Sequence, residues 1–312
     1  MPEYHHTPVL LSKIISMLRP RWGGVYVDCT LGSGAMSEQI CEAIGPTGVL
    51  VGIDRDSEAI RYAGDRLARF GNVARLVQGN FRDYEAILAR LGIAEVDGVI
   101  ADFGVSSRQL DGPRGFSFSR DERLDMRMGR DEQIPDAAQI IATLSVAELT
   151  DVIRRYGEER YARKAAEAIV AARQREPIVS TGQLSEIIRS AIGFAYRNQD
   201  IHPSTRVFMS LRIRTNDEID AIEEALPQAI RSLKSGARIC AISFHSLEDR
   251  IVKSVFRKYA GQCVCDRRAP ECRCGAVKML DIITRRPIVP TPEEIAENPR
   301  SRSAKLRCAE RL

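Results

Sequence analysis

The alternation of strand and helix signals near the start of the chain constrains the fold more than any other feature. Short runs rich in β-branched residues alternate there with segments of helical periodicity, and this order is typical of βαβ units and a parallel sheet. We predict a crossover helix over Ser57–Phe70. The predicted strands are Val25–Cys29, Val49–Asp54, Val73–Val77 and Val96–Asp102.

A block of helices then interrupts the alternation. The segment Ser145–Glu148 has the capping-box pattern that opens a helix, and two further helices are predicted over Ala162–Arg173 and Gln183–Ile192. Strand character returns only at Ala237–Phe244, after a helix that we expect Asn216 to cap. The helical block therefore divides the sheet domain in the sequence.

The length of the chain, 312 residues, suggests about two domains. We predict an α/β fold with a mostly parallel sheet and an inserted all-helical domain. The two parts of the sheet domain are expected at residues 1–131 and 206–312, and the helical domain at 132–205.

Basic residues are concentrated toward the C-terminus. Residues 231–312 contain 18 Lys and Arg against 9 Asp and Glu, although the whole chain carries a net charge of only +4. Clustered cations gain free energy by releasing counterions from a phosphate backbone, so the asymmetry indicates a polyanionic partner. A solvated basic surface is the alternative. The prolines and arginines of the last fifty residues suggest an extended basic tail over the sheet domain.

The sequence has neither a candidate membrane span nor a secretory signal. It contains no run of about 18 uncharged apolar residues, and Met1–His6 has no basic region followed by an apolar one. We expect a cytoplasmic protein that does not bind membranes.

Four of the eight cysteines are close together in sequence. Cys263 and Cys265 are followed by Cys272 and Cys274, whereas the other four are isolated. Four thiolates can hold a tetrahedral zinc ion, but the usual spacing within each pair is about two to four residues and here it is one. We therefore favour a reduced or redox-labile loop and predict no bound metal.

The strongest local motif is a glycine-rich turn that follows the first predicted strand. In Asp28–Ser37, Gly32 and Gly34 precede a helix, where backbone N–H groups can approach a ligand. Ser37 occupies the third glycine position of a dinucleotide motif, which weakens the interpretation as a nicotinamide dehydrogenase. Asp54, at the end of the second strand, is expected to accept the hydroxyls of a ribose; capping the next helix is the alternative.

Two further segments follow predicted strands. Gly79–Phe81 comes after the third strand and Asp102–Ser107 after the fourth. The carboxyl ends of neighbouring parallel strands line one crevice, so all these segments should meet at one ligand. Phe81 is expected to lie against an adenine, with a core aromatic as the alternative.

Seven ordered motifs resemble one known family. They are Asp28–Ser37, Asp102–Asp111, Arg114–Phe118, Leu124–Met128, Tyr156–Arg160, His202–Arg206 and Ile242–Arg250. Together they resemble the bacterial small-subunit (16S) ribosomal RNA cytosine-N4 methyltransferases of the MraW/RsmH family, and the resemblance extends from His6 to Arg302. It implies a Rossmann-like class I methyltransferase fold and a helical domain that recognises the substrate. It also implies S-adenosyl-L-methionine as donor and a cytosine in the decoding region of 16S ribosomal RNA, or of the small ribosomal subunit, as target.

The resemblance also implies a set of donor-binding residues: Gly34, Ala35, Met36, Asp54, Phe81, Asp102 and Gln109. Three positions differ from the family, which usually has Gly-Gly-His at Gly34–Met36 and Leu at Phe103. Ala35 would be strained if its position required a positive φ, although neither Ala35 nor Met36 removes a backbone N–H. An RNA-binding protein of the same fold that has lost donor binding is therefore the alternative function. A homodimer is also expected.

Methyl transfer requires mainly positioning and electrostatics from the protein, because the donor supplies the reactivity. Asp102 and the backbone carbonyls of the turn that follows it are our candidate acceptors for the protons of the cytosine amine. A second set of polar residues, with helix caps or structural ion pairs as the alternative, comprises Ser106, Ser107, Asp125, His245 and Glu248. A substrate lid that holds phosphates and stacks bases is expected from Arg114, Arg123, Arg127 and Arg130 with Phe116, Phe118, Leu124 and Met126, and a mobile solvated loop is the alternative.

Overall fold

The structure is a computed structural model, and it describes residues 9–198, 201–266 and 271–312. His6, where the family resemblance starts, lies outside these residues. The chain forms two compact units. Unit 1 comprises Met1–Gly104 and Ile219–Leu312, and unit 2 comprises Val105–Glu218.

The regular elements of both units are numbered in chain order. The helices are α1 (Leu11–Leu18), α2 (Ala35–Ile44), α3 (Ser57–Leu67), α4 (Tyr84–Arg90), α5 (Ser107–Asp111), α6 (Ala137–Thr143), α7 (Val146–Gly157), α8 (Ala162–Arg173), α9 (Thr181–Ile192), α10 (Ser204–Asn216), α11 (Glu218–Ser232), α12 (Ser246–Tyr259) and α13 (Pro292–Glu297). The strands are β1 (Val25–Asp28), β2 (Val49–Asp54), β3 (Ala74–Gln78), β4 (Val96–Asp102), β5 (Leu233–Ser243), β6 (Leu280–Ile282) and β7 (Lys305–Arg311).

Unit 1 is built on a seven-stranded sheet in the order β3-β2-β1-β4-β5-β7-β6. Strands β1 to β5 pair in parallel, and β7 is antiparallel to both β5 and β6. Starting from β1, the strands β2 and β3 are added on one side of the sheet, and β4 and β5 are then added on the other side. This doubly wound order is that of a Rossmann-like sheet, so the predicted fold class is confirmed.

The central strands of unit 1, β1, β2 and β4, are apolar on both faces because helices cover both. Successive residues of a strand point to opposite faces, and they fall into two separate hydrophobic clusters. One cluster contains Val27, Val51 and Val99, and the other contains Tyr26, Leu50 and Ile100. The four isolated cysteines, Cys29, Cys41, Cys240 and Cys308, are buried in these clusters.

The C-terminal segment differs from the expected extended tail. It contains β6, α13 and β7, and β7 lies inside the sheet beside β5. Leu306 and Cys308 are fully buried, and the guanidinium of Arg307 is neutralised by Asp249, with Nε to Oδ1 at 2.7 Å and Nη2 to Oδ2 at 3.1 Å. Charged residues alternate with the apolar residues of β7, so the sequence did not show an apolar run here.

Unit 2 is helical and has its own core. Its hydrophobic cluster includes Ile153, Ala166, Leu184 and Leu211 from four different helices. Residues 105–131 contribute to the same cluster through Leu124 and other apolar side chains, which explains why the unit begins earlier than the predicted boundary at residue 132.

The boundary at the other end of unit 2 also lies beyond the predicted residue 205. Helix α10 packs against α7 and ends at Asn216, whose side chain donates to the carbonyls of Met126 and Arg212 and accepts from the N–H of Met128. Asn216 is therefore not the cap of α11, as the sequence suggested. No helix of the described residues combines the length and the apolar character that crossing a bilayer requires.

Candidate functional site

Three neighbouring strands of unit 1 end in an aspartate. Asp28, Asp54 and Asp102 are the last residues of β1, β2 and β4. Strand β1 lies between β2 and β4, at the point where the winding direction of the sheet reverses. In open α/β sheets, ligands bind outside the carboxyl ends of the strands at this switch point. The topology therefore brings three carboxyl groups to the expected position of the ligand.

Asp28 organises the glycine-rich turn that follows β1. Its Oδ1 accepts the Thr30 N–H at 3.1 Å and its Oδ2 accepts the Ser37 hydroxyl at 2.7 Å. The side chain is buried, and this burial raises its pKa to about 6 although both hydrogen bonds favour the ionised form. Asp28 thus fixes both ends of the turn. Sequence reasoning did not single it out as a site residue.

The turn itself depends on two glycines with left-handed backbone. Gly32 has φ of 51° and Gly34 has φ of 73° and caps α2. A Cβ on Gly34 would lie 3.0 Å from the Cβ of Ala63, so the helix α3 approaches the turn closely. A side chain at Gly34 would therefore be unfavourable both for backbone conformation and for packing.

Two of the three residues that differ from the family, Ala35 and Met36, lie in the first turn of α2. Ala35 is the first residue of the helix and does not have a positive φ, so its Cβ introduces no backbone strain. Met36 is buried in the hydrophobic cluster on one face of the sheet. Neither residue distorts the turn, and the positive φ that would have strained Ala35 is not present.

Asp54 connects the turn to the second strand. Its Oδ2 accepts the Gly32 N–H at 2.8 Å, and its Oδ1 accepts the Asp56 N–H at 2.9 Å. Asp56, rather than Asp54, caps α3 by accepting the Glu58 N–H. Burial raises the pKa of Asp54 to about 6, and the charges of Asp56 and Asp28 add to the effect. Each carboxylate oxygen has a second lone pair, so Asp54 can still accept hydrogen bonds from a ligand.

Asp102 differs from the other two aspartates in its hydrogen bonding. Its backbone N–H donates to Thr30 Oγ1 at 2.6 Å, which holds the end of β4 against the turn. Its Oδ1 is buried, and no described residue donates a hydrogen bond to it. Burial, together with the charges of Asp28 and Glu248, raises the pKa of Asp102 to about 8. A buried acceptor without a partner is unfavourable, so this oxygen is suited to bind a ligand.

Phe81 lies just after β3, in the segment that the sequence placed at the same crevice. Its ring faces that of Phe103 with centroids 5.9 Å apart and an angle of 48° between the planes. Phe103 is buried, whereas Phe81 is half-buried and packs against the core. One side of Phe81 therefore belongs to the core, and its contact with an adenine remains a prediction.

Glu248 and His245 form the start of α12, after β5. Glu248 is fully buried, and its Oε2 accepts the Phe244 N–H at 2.7 Å and the His245 N–H at 3.2 Å. His245 caps the helix in return. Both residues thus have the structural role that was the alternative for the second set of polar residues. Through its charge, Glu248 still raises the pKa of Asp102.

Gln109 belongs to unit 2. It is buried, and its Oε1 accepts the Ser106 N–H at 3.0 Å in a capping box that opens the short helix α5. Ser106 is the cap and Ser107 the first residue of that helix. Asp125 forms an ion pair with Arg127 at 2.8 Å. Gln109, Ser106 and Asp125 thus have structural partners, and the role of Gln109 in donor binding remains a prediction.

The predicted substrate lid is mostly part of the core of unit 2. Phe116, Leu124 and Met126 are buried, so they offer no stacking surface to a base. Arg114 is also buried, and its guanidinium donates to the Met128 carbonyl at 2.6 Å. The lid prediction was wrong because these side chains pack against helices of unit 2 that are distant in sequence.

The remaining residues of the predicted lid also have structural partners. Arg127 is paired with Asp125, Arg123 contacts Asp136 at 3.0 Å, and Arg130 donates to the Pro113 carbonyl at 3.1 Å. Arg123 and Arg130 remain exposed at the surface of unit 2. Phe118 stacks on His202 with ring centroids 4.7 Å apart.

Comparisons with known proteins cover almost the whole chain. The sequence profile of the MraW methylase family matches residues 3–312. Ribosomal RNA small subunit methyltransferase H of Trichlorobacter lovleyi is 48% identical over 313 residues, which cover 100% of both chains. The protein of the same name from Geobacter sulfurreducens is 49% identical over 311 residues, or 99% of each chain. A solved rRNA methylase from Streptococcus thermophilus has a TM-score of 0.42 and 9% identity, with coverage of 97% of this chain and 93% of that chain.

Proposed function

The chain belongs to the MraW methylase family, and from this premise we propose that it methylates the exocyclic N4 amine of a cytosine in the decoding region of 16S ribosomal RNA. Membership of the family supports methylation of ribosomal RNA with S-adenosylmethionine as donor, without specifying the nucleotide or the atom that is methylated. One observation supports cytosine N4 as the methylated atom. Asp102 Oδ1, at the switch point of the sheet, is buried and accepts no hydrogen bond from any described residue.

The residues at the carboxyl ends of β1, β2 and β4 fit a cationic nucleoside. Burial raises the pKa values of Asp28, Asp54 and Asp102, and the charge of Asp28 raises those of Asp54 and Asp102 further; a positive charge bound beside these carboxyl groups would stabilise their ionised forms. When bound, S-adenosylmethionine supplies a sulfonium that makes its methyl group electrophilic. Asp54 is positioned to accept hydrogen bonds from ribose hydroxyls, and the backbone of Gly34–Met36 forms the adjoining wall.

Asp102 has the chemistry required at the amine. Cytosine N4 is a poor nucleophile because its lone pair is delocalised into the ring, so an acceptor for its protons assists attack. The pKa of Asp102, about 8, makes its carboxyl largely protonated at neutral pH in the free protein. A positive charge bound nearby lowers that pKa. The ionised Oδ1 can then accept a hydrogen bond from N4 and take up the proton that the amine loses.

The target nucleotide must leave its stack to reach this crevice, which favours a single-stranded or looped target. We assign the helical unit 2 to substrate recognition, as the family resemblance implies. Exposed arginines at the C-terminal end of unit 1, among them Arg285, Arg286 and Arg302, are suited to contact phosphates. The homodimer expected from the sequence stays a prediction.

The proposal is tested by mapping modified cytosines in 16S ribosomal RNA from cells with and without this protein. Mass spectrometry of RNA fragments should find one N4-methylated cytosine in the decoding region that disappears without the protein and returns with the wild-type gene. Asp102→Asn should restore little of it, whereas Asp97→Ala, at the opposite end of the same sheet, should restore it. An unchanged modification pattern in cells without the protein would refute the proposal.

A further inference from the structure

The four clustered cysteines lie in a loop of unit 1 that the proposed methyl transfer does not use. The loop connects α12 to β6, and its two ends are joined by an antiparallel bridge between Ala260 and Lys278. The Gly261 N–H donates to the Val277 carbonyl at 3.0 Å beside this bridge. These two contacts hold the described ends of the loop side by side.

The four thiols of this loop converge on one point. Cys272 Sγ lies 3.4 Å from Cys263 Sγ, 4.0 Å from Cys265 Sγ and 3.5 Å from Cys274 Sγ. The sulfurs of Cys274 and Cys263 are 3.9 Å apart, and all four lie within 4.8 Å of one another. All four cysteines are free, since a disulfide would need about 2.05 Å between its sulfurs.

These distances match the edges of a tetrahedral zinc site. A Zn–S bond of about 2.3 Å and tetrahedral angles place neighbouring sulfurs about 3.8 Å apart. The four close distances, 3.4 to 4.0 Å, lie on either side of that value. We propose that Cys263, Cys265, Cys272 and Cys274 bind one Zn²⁺ ion in a closed, four-thiolate structural site.

The one-residue spacing, which argued against a metal in the sequence, is compatible with this geometry. In an extended segment, residues i and i+2 lie on the same side of the chain, so both sulfurs of a Cys-x-Cys pair can face one ion. Gly275, directly after the second pair, has φ of 62°, a left-handed conformation that glycine adopts without strain. The Arg273 N–H donates to Cys265 Sγ at 3.4 Å, a contact that favours a thiolate.

Hydrophobic packing does not account for the cluster. Cys263 and Cys272 are exposed, and none of the four cysteines belongs to a hydrophobic cluster of the described residues. Four thiolates around Zn²⁺ would carry a net charge of −2. The sequence from Gly261 to Lys278 contains four basic and two acidic residues, so its own charge offsets that of the site.

With four protein ligands the ion has no open position for a substrate, so the site is structural rather than catalytic. It would hold the connection between α12 and β6 in one conformation. Its ligands are separate from Asp54 and Asp102, and a failure of the zinc proposal therefore leaves the methyl-transfer proposal unaffected.

The test uses the full-length protein purified without an affinity tag that binds metal. Inductively coupled plasma mass spectrometry should find one zinc ion per chain. Replacement by Co²⁺ should give the visible absorption of a tetrahedral thiolate site. Cys272→Ser should lose most of the bound metal, whereas Glu271→Gln, a neighbouring carboxylate outside the cluster, should keep it. The four buried cysteines are present in both variants and serve as an internal control.

A second measurement does not depend on the variants folding. Chelation of the wild-type protein should release the zinc and make four additional thiols accessible to a thiol reagent, with donor binding retained. Zinc-free wild-type protein with two disulfides in this loop, or with four thiols that react before chelation, would overturn the proposal. Iron in place of zinc, or the same zinc content in Cys272→Ser and Glu271→Gln, would also overturn it.

Discussion

Replacement of Asp54 by alanine tests how the carboxyl ends of the strands hold the donor. In the structure each oxygen of Asp54 accepts one backbone N–H, from Gly32 at 2.8 Å and Asp56 at 2.9 Å, and retains a lone pair for a ribose hydroxyl. Hydrogen bonds to a charged group contribute about 1.5 to 3 kcal/mol. We therefore expect Asp54→Ala to weaken S-adenosylmethionine binding roughly ten- to 150-fold, as measured by isothermal titration calorimetry.

The control for this variant is Asp97→Ala. Asp97 lies at the amino end of β4, where its Oδ2 accepts the Val25 N–H at 2.8 Å and contacts Lys234 Nζ at 2.8 Å. Both variants lose carboxylate hydrogen bonds to the backbone and should have lower melting temperatures, but only Asp54→Ala should weaken the binding of S-adenosylmethionine. A loss of threefold or less, or an equal loss in both variants, would refute the ribose role.

Three further perturbations follow from the same geometry. Burial raises the pKa of Asp102 to about 8, so the contribution of its protonated carboxyl to stability is greatest below about pH 4 and is lost as the pH rises through 8. Asp102→Asn should therefore raise the melting temperature relative to wild type more at pH 8.5 than at pH 5.5. An equal difference at both pH values would contradict this pKa. Gly34→Ala should lower the free energy of unfolding, measured in urea, by about 1 to 2 kcal/mol or more because the φ of Gly34 is 73°. Ala35→Gly should lower it less. Equal losses of stability in the two variants would argue against the left-handed turn. Arg285→Gln combined with Arg286→Gln should lower RNA affinity and flatten its dependence on salt in filter binding, and an unchanged slope would show that these residues do not contact phosphate.

The central strands of the sheet could be predicted closely from the sequence, because β1, β2 and β4 are buried on both faces. β2 and β4 have the predicted bounds, since each is an apolar run that ends at an aspartate. β7 was missed because Lys305, Arg307 and Arg311 interrupt its apolar residues. Its burial depends on the ion pair between Arg307 and Asp249, which are 58 positions apart, and no local pattern reveals such a contact.

The site was predictable to a similar degree. Asp54 and Asp102 were identified because a polar residue at the end of a buried parallel strand has few structural reasons to be there. Asp28 ends β1 in the same way, and that shared signal could have identified it. The burial of Arg114 could not be predicted, because it follows from the folding of unit 2 around residues 105–131.

The central claim is that the crevice at the ends of β1, β2 and β4 transfers a methyl group to cytosine N4. It is tested most directly by incubating the purified protein with S-adenosylmethionine carrying an isotopically labelled methyl group and with small ribosomal subunits from cells that lack the protein. We expect the nucleoside digest to contain labelled N4-methylcytidine, and we expect Asp102→Asn to form much less of it. Label in 5-methylcytidine or in another nucleoside, or label that is unaffected by Asp102→Asn, would contradict the account.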